Sequence, residues 1–204
     1  MKNLQTLKSI SVDTWIKTNP EGLVNLRELH IKSRFEKENE FTFDSIAKLK
    51  TLQILRVEFP SCTIHSLQPL SNCENLVELT LSVALEKLPE EMPAYLPNLE
   101  YLELTNCKLN DDPMPTLEKL PNLTVLYFAE ESYCFRKLVC SKGGFRRLEI
   151  LVILGKYFEE LQVAEGAMPE LRSFLGTYLI IPERLKKLPL PAEWEYGDAY
   201  QHEI

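Results

Sequence analysis

A curved α/β solenoid with a parallel sheet along its concave side is the fold class this sequence predicts, on three observations. One phrase, Leu96-Pro-Asn-Leu-Glu-Tyr-Leu-Glu-Leu-Thr-Asn-Cys107, spaces its apolar residues at 96, 99, 102, 104 and 107. The same spacing recurs from Leu4, Leu23, Leu49, Cys73, Leu96, Leu120, Phe145 and Met168, in steps of 19, 26, 24, 23, 24, 25 and 23 residues. Prolines crowd the intervals (Pro89, Pro93, Pro97, Pro113, Pro115, Pro121), which argues against long helices there and suits tight return segments.

The phrase is the L-x-x-L-x-x-L-x-L frame of a leucine-rich repeat, closed at Cys107 by cysteine rather than asparagine. Each unit buries its apolar edge only by stacking on its neighbours, so a near-constant step over the whole chain implies one continuous core. The domain reading is a repeat domain of eight to nine units over 1–189 and an acidic-aromatic tail or cap over 190–204.

In chain order, the first repeat is Leu4, Leu7, Ile10 and Val12, with no polar cap or amphipathic helix before it. Such an edge predicts either a piece of a longer protein or a docking edge. The second is Leu23, Leu26, Leu29 and Ile31, followed by a charged insertion from Lys32 to Glu40 that reads as a solvated loop. Asp44-Ser-Ile-Ala-Lys-Leu predicts a short helix with Asp44 as N-cap, leading into Leu49, Leu52, Leu55 and Val57. Repeats four, six and seven are Cys73-Leu76-Leu79-Leu81, Leu120-Leu123-Leu126-Phe128 and Phe145-Leu148-Leu151-Ile153. Repeat eight starts Met168, Leu171, Phe174 and puts Gly176 at its last apolar place; Leu179, Ile180, Leu185 and Leu188 suggest a degenerate ninth turn. The place of Cys107 is filled elsewhere by Trp15, Arg34, Pro60, Ala84, Glu131, Lys156 and Leu179, so no asparagine ladder is expected there.

A net charge of -7 and a pI near 5.2 weigh against binding through nucleic-acid phosphates. The acidity is even, with 11 basic and 14 acidic side chains in 1–102 and 12 against 16 in 103–204. No run approaches the roughly 18 apolar residues of a membrane span, and the start of the chain lacks a secretory apolar core. Five cysteines leave an odd thiol under any pairing; Cys73 and Cys107 point inward as small hydrophobes, and a cytoplasmic, reducing setting follows. Without secretion the Asn122-Leu-Thr124 sequon has no consequence. His30, His65 and His202 have no metal-ligand spacing, and Glu90-Glu91 reads as surface, so no cofactor, metal or catalytic group is expected.

Three phrases carry a resemblance: Val139-Cys-Ser-Lys-Gly-Gly-Phe-Arg-Arg-Leu-Glu-Ile-Leu151, Glu165-Gly-Ala-Met-Pro-Glu-Leu-Arg-Ser-Phe174 and Leu185-Lys-Lys-Leu-Pro189. In this order and spacing they resemble the last repeats of plant nucleotide-binding leucine-rich-repeat disease-resistance proteins of the coiled-coil class. The Leu-Pro-Asn-Leu turns at 96–99 and 120–123 fit the same family. The resemblance implies a sensor module of plant immunity whose partner is a pathogen effector, a guarded host protein or a nucleotide-binding switch domain. It implies no nucleotide hydrolysis here: Gly155-Lys156 is followed by Tyr157, and Gly143-Gly144 lacks phosphate-loop spacing. Rival readings are a generic repeat scaffold, such as a ubiquitin-ligase substrate receptor, and a truncated gene product without a role of its own.

The residues between the strand leucines face the concave side in three rows. The first is Ser9, Glu28, Ile54, Glu78, Tyr101, Val125, Ile150, Ser173; the central row is Ser11, His30, Arg56, Thr80, Glu103, Tyr127, Val152, Leu175. The third is Asp13, Lys32, Glu58, Ser82, Thr105, Ala129, Leu154, Thr177. The candidate partner-binding residues are His30, Arg56, Glu78, Tyr101, Glu103, Val125, Tyr127, Ile150, Val152, Leu154 and Leu175. With strands about 4.8 Å apart, Val125, Tyr127, Ile150, Val152, Leu154 and Leu175 form one apolar patch. Either a partner covers it, with Tyr101 and Tyr127 as anchors, or the chain buries it itself, through the tail bearing Trp194, Tyr196 and Tyr200 or an irregular cap.

Overall fold

Each repeat contributes one strand to a parallel sheet because its strand leucines have nowhere else to hide. The computed structural model describes residues 3–33, 41–85, 87–130, 135–177 and 179–191, without the side chains of Pro60 and Ser61. Most of the charged insertion and the acidic-aromatic tail lie outside the described residues. The strands are β1 (Thr6–Ser11), β2 (Glu28–Lys32), β3 (Ile54–Thr63), β4 (Glu78–Ala84), β5 (Tyr101–Thr105), β6 (Val125–Ala129), β7 (Lys137–Cys140), β8 (Ile150–Leu154), β9 (Glu160–Val163) and β10 (Ser173–Gly176). Eight form one sheet in the order β1-β2-β3-β4-β5-β6-β8-β10, and β7 and β9 form a second, also parallel.

Leu29, Ile31, Leu55, Val57, Leu79, Leu81, Leu102 and Leu104 are fully buried, in one core that extends from Val12 to Leu185. Each such side chain contributes roughly 1.5–3 kcal/mol, so the stack is held chiefly by this column. Register is fixed at every strand entry by a shared carbonyl. Gln53 and Ile54 N–H both donate to Arg27 O, Val77 and Glu78 to Gln53 O, Glu100 and Tyr101 to Val77 O, and Thr124 and Val125 to Glu100 O.

The return segments hold only short helices, as their prolines dictate: α1 (Val12–Ile16), α2 (Met92–Tyr95), α3 (Met114–Leu117) and several single 3-10 turns. Pro93 and Pro115 sit in the first turns of α2 and α3, where a missing N–H removes no bond. The return segments after repeats six and seven carry β7 and β9. The Phe128, Phe135 and Phe158 rings cluster with centroids 5.5–6.5 Å apart.

Two expectations are corrected. Gln5 O accepts from both Arg27 and Glu28, so Gln5 is equivalent to Arg27 and Leu4 to Leu26, not to Leu23. The first step is then 22 residues (26 − 4) rather than the outlying 19. Apolar residues at 4, 7 and 10 satisfy the frame in two settings three residues apart, which is why spacing alone misplaced it. An extra residue is absorbed as a bulge, with Ser9 at φ 56°. Thr6 therefore faces Glu28, Ser11 faces Lys32 while capping α1, and Asp13 lies in α1 rather than in the third row.

Asp44 does not cap a helix. Its Oδ2 accepts from Thr42 Oγ1, and the element that follows is a single 3-10 turn, Ile46–Lys48, with no side-chain cap.

An asparagine ladder exists at the turns before β4, β5 and β6 rather than after the strands. Asn75 Nδ2 donates to Lys50 O (2.8 Å), Asn98 Nδ2 to Glu74 O (2.9 Å) and Asn122 Nδ2 to Pro97 O (2.8 Å). Arg147 extends it by donating to Asn122 Oδ1 at 2.7 Å.

Among the described residues no ninth strand forms. Leu188 N–H closes the expected turn on Leu185 O, but Pro189 then stands beside Ser173. Its carbonyl accepts from Phe174 N–H and from Ser173 Oγ, yet it has no N–H to return, so the ladder stops. Ile180 instead bridges to Glu160 at the edge of the second sheet.

Candidate recognition surface on the concave face

The three concave rows assemble in the predicted register from β2 onward. His30 pairs with Arg56, Arg56 with Thr80, Thr80 with Glu103, Glu103 with Tyr127, Tyr127 with Val152 and Val152 with Leu175. Alternation along each strand turns these side chains away from the leucine core.

In repeats two to five the rows carry polar side chains paired in small groups. Glu28 Oε1 receives Lys8 Nζ at 3.0 Å and an Arg56 guanidinium nitrogen at 3.4 Å, and the other Arg56 nitrogen reaches Glu78 at 3.5 Å. His30 Nε2 approaches Glu58 Oε1 at 2.9 Å without hydrogen-bond alignment. Glu103 accepts from Tyr101 Oη (3.1 Å), Thr80 Oγ1 (3.4 Å) and Thr105 Oγ1 (3.5 Å). Burial, and then the adjacent Glu103 carboxylate, push the Tyr101 phenol well above its ordinary value, so it stays a donor. Glu28, Glu58, Thr80 and Thr105 thus belong to the surface although they are not candidate residues by sequence. The signal that could have found them is the row itself, since all four stand in the three concave rows, and Thr80 also faces the chosen Arg56 and Glu103.

In repeats six to eight the rows form a second, smaller hydrophobic core. Tyr127, Ala129, Val152 and Leu154 are buried, with Ile150 and Leu175 partly buried around them, and Val152 has no exposed surface. Val125 stands beside Ile150 in register but outside this cluster. Five of the six predicted patch residues are therefore contiguous, without Val125, and the patch is not bare. The tail proposed as its lid lies outside the described residues.

Cys73 and Cys107 are buried as expected, and desolvation raises their thiols to about 11 and about 12. Gly155 is required for packing, because a Cβ there would strike Glu130 O. Among the described residues no group of His, Cys, Asp or Glu could hold a metal, and no helix is long and apolar enough to cross a membrane. The Asn122 side chain of the sequon is committed on both ends to the ladder.

A family model described as a leucine-rich repeat region matches residues 1–183. The chain belongs to that family. This repeat region is 37% identical over 194 residues to an RPP13-like disease resistance protein of Arabidopsis thaliana (RPP13-like protein 2), covering 90% of this chain and 23% of that protein. It is 35% identical over 193 residues to disease resistance protein RPP13, covering 90% and 21%, and 32% identical over 192 residues to RPP8-like protein 4, covering 92% and 21%, both from Arabidopsis thaliana. The repeat region thus spans about a fifth to a quarter of the length of these relatives. Internalin C2 of Listeria monocytogenes is similar in structure with a TM-score of 0.45 at 18% identity, covering 89% of this chain and 78% of that one.

Proposed function

We propose that this leucine-rich-repeat region is a non-enzymatic recognition module of plant immunity, acting in the cytoplasm. Its concave face binds a protein: a pathogen effector, a guarded host protein or a nucleotide-binding switch domain. The observation that supports this reading best is its similarity, over about 90% of its length, to disease resistance proteins of Arabidopsis thaliana. The polar rows of the concave face add a surface suited to the task, since polar groups held in register discriminate between partners more than they add affinity. A partner with different affinities for two states of an attached switch would shift the switch between them, with no covalent step.

The test is affinity capture from plant tissue expressing the complete gene product. The wild-type protein and a convex variant, Lys50→Glu, are expected to retain the same partner. A concave double variant, Arg56→Glu with Glu103→Arg, is expected to lose it. Identical capture by all three would overturn the reading.

A further inference from the structure

The glutamates of the concave face are not matched alike among the described residues. Of its four glutamates, Glu28 has Lys8 and Arg56, Glu78 has Arg56, and Glu58 has His30 within salt-bridge distance. Glu103 differs: among the described residues it has three hydroxyl donors and no cation. It is partly buried, mid-row, with Tyr127 directly across on β6 and Tyr101 two places back on its own strand. Tyr101 is partly exposed and bonds this carboxylate through its Oη, so its ring stands within reach of anything that touches the carboxylate, whereas the Tyr127 ring is buried in the second core.

A protein that covers this part of the face must strip water from Glu103. Three hydroxyl bonds keep the carboxylate in one position but bring no charge to offset its desolvation. The missing element is a cation, and it has to come from outside. Between lysine and arginine, the neighbouring Tyr101 ring favours arginine, whose planar, weakly hydrated guanidinium stacks on aromatic faces while bonding a carboxylate. Resting on the recognition reading above, we infer that the partner of this face presents an arginine side chain to Glu103, beside Tyr101. Arg56 models the same chemistry internally, one guanidinium shared by Glu28 and Glu78.

The probe is N-acetyl-arginine amide, with the neutral isostere N-acetyl-citrulline amide as its control. Each is titrated into the labelled protein while backbone amide shifts are followed by NMR. The arginine probe is expected to give saturable shifts at Thr80, Glu103, Thr105 and Tyr127, about tenfold or more tighter than citrulline. Glu103→Gln, which still accepts from the hydroxyls, should bring the arginine probe down to the citrulline level. Glu149→Gln, at a carboxylate paired with Arg172, should leave it unchanged. Equal responses to both probes, no response to arginine, or an unaltered response in Glu103→Gln would each overturn the proposal. The two-probe comparison on the wild-type chain decides even if Glu103→Gln fails to fold. Failure here leaves protein recognition standing, because that is tested by capture of a partner and not by this titration.

Discussion

Repeats two to five and repeats six to eight share one backbone and one register, but not one concave face. In the first group the outward rows carry Glu28, His30, Arg56, Glu78 and Glu103 and remain at least partly open. In the second they carry Tyr127, Val152 and Leu154, which are buried. Because the inward leucines and the strand-entry carbonyls already fix the stack, the outward rows are free of structural duty. One half has spent that freedom on presenting charge, the other on a second core. A recognition surface in this solenoid is thus a stretch of sheet that did not become core.

Substitutions of opposite character sharpen this contrast most. Val152→Asp places an unpaired carboxylate in a site with no exposure and should lower stability by about 3 kcal/mol or more, read from the shift in a urea unfolding midpoint. Arg56→Ala, on the open half, should change it by no more than about 1 kcal/mol, since its ion pairs are partly exposed. Similar losses at both positions would erase the distinction between the halves.

Between these lies a term common to both halves. Asn98→Ala leaves Glu74 O without its donor and should destabilise by about 1 kcal/mol, measurable in the same unfolding experiment. A neutral result would show that the ladder is decorative and that leucine packing alone sets register.

The smallest expected effect is a pH dependence confined to the C-terminal half. Asp112 accepts from Met114 and Val139 N–H at 2.9 and 2.8 Å, joining α3 to β7. Burial raises its carboxyl from 3.8 to about 6, against those two bonds and with help from Glu118 and Asp111. The folded chain then holds this proton more tightly than the unfolded one. Its contribution is full below pH 4 and is lost as pH rises through about 6. With its partial exposure the effect is at most about 1 kcal/mol. Comparing unfolding at pH 4.5 and 7 in wild type and Asp112→Asn isolates it: the difference between the two proteins should shrink or change sign across that range.

The sequence made the solenoid legible because its period is enforced by burial: every strand leucine from Leu29 onward is where the frame placed it. The concave register followed for the same reason, as alternation leaves one face per row. What was not legible had local causes. Leu4, Leu7 and Ile10 fit the frame in two settings, and only the hydrogen bonds to Gln5 O choose between them. The ladder of Asn75, Asn98 and Asn122 was in plain view within the Asn-Leu turns, but it serves a different carbonyl from the one expected of a repeat asparagine. Whether a contiguous apolar patch is bare or buried depends on what lies above it, which row assignments do not contain. The uncompensated state of Glu103 likewise appears only when the ion pairs of its neighbours are known.

The division of the concave face is tested most directly by thiol accessibility in a pair of single substitutions, Ser82→Cys on β4 and Val152→Cys on β8. Each native protein is treated with a maleimide, and modification at the new position is followed by peptide mass spectrometry. Ser82 is partly exposed and Val152 fully buried, so the thiol at 82 should react readily and that at 152 about a hundredfold more slowly, limited by opening of the structure. Equal rates at the two positions would contradict the account.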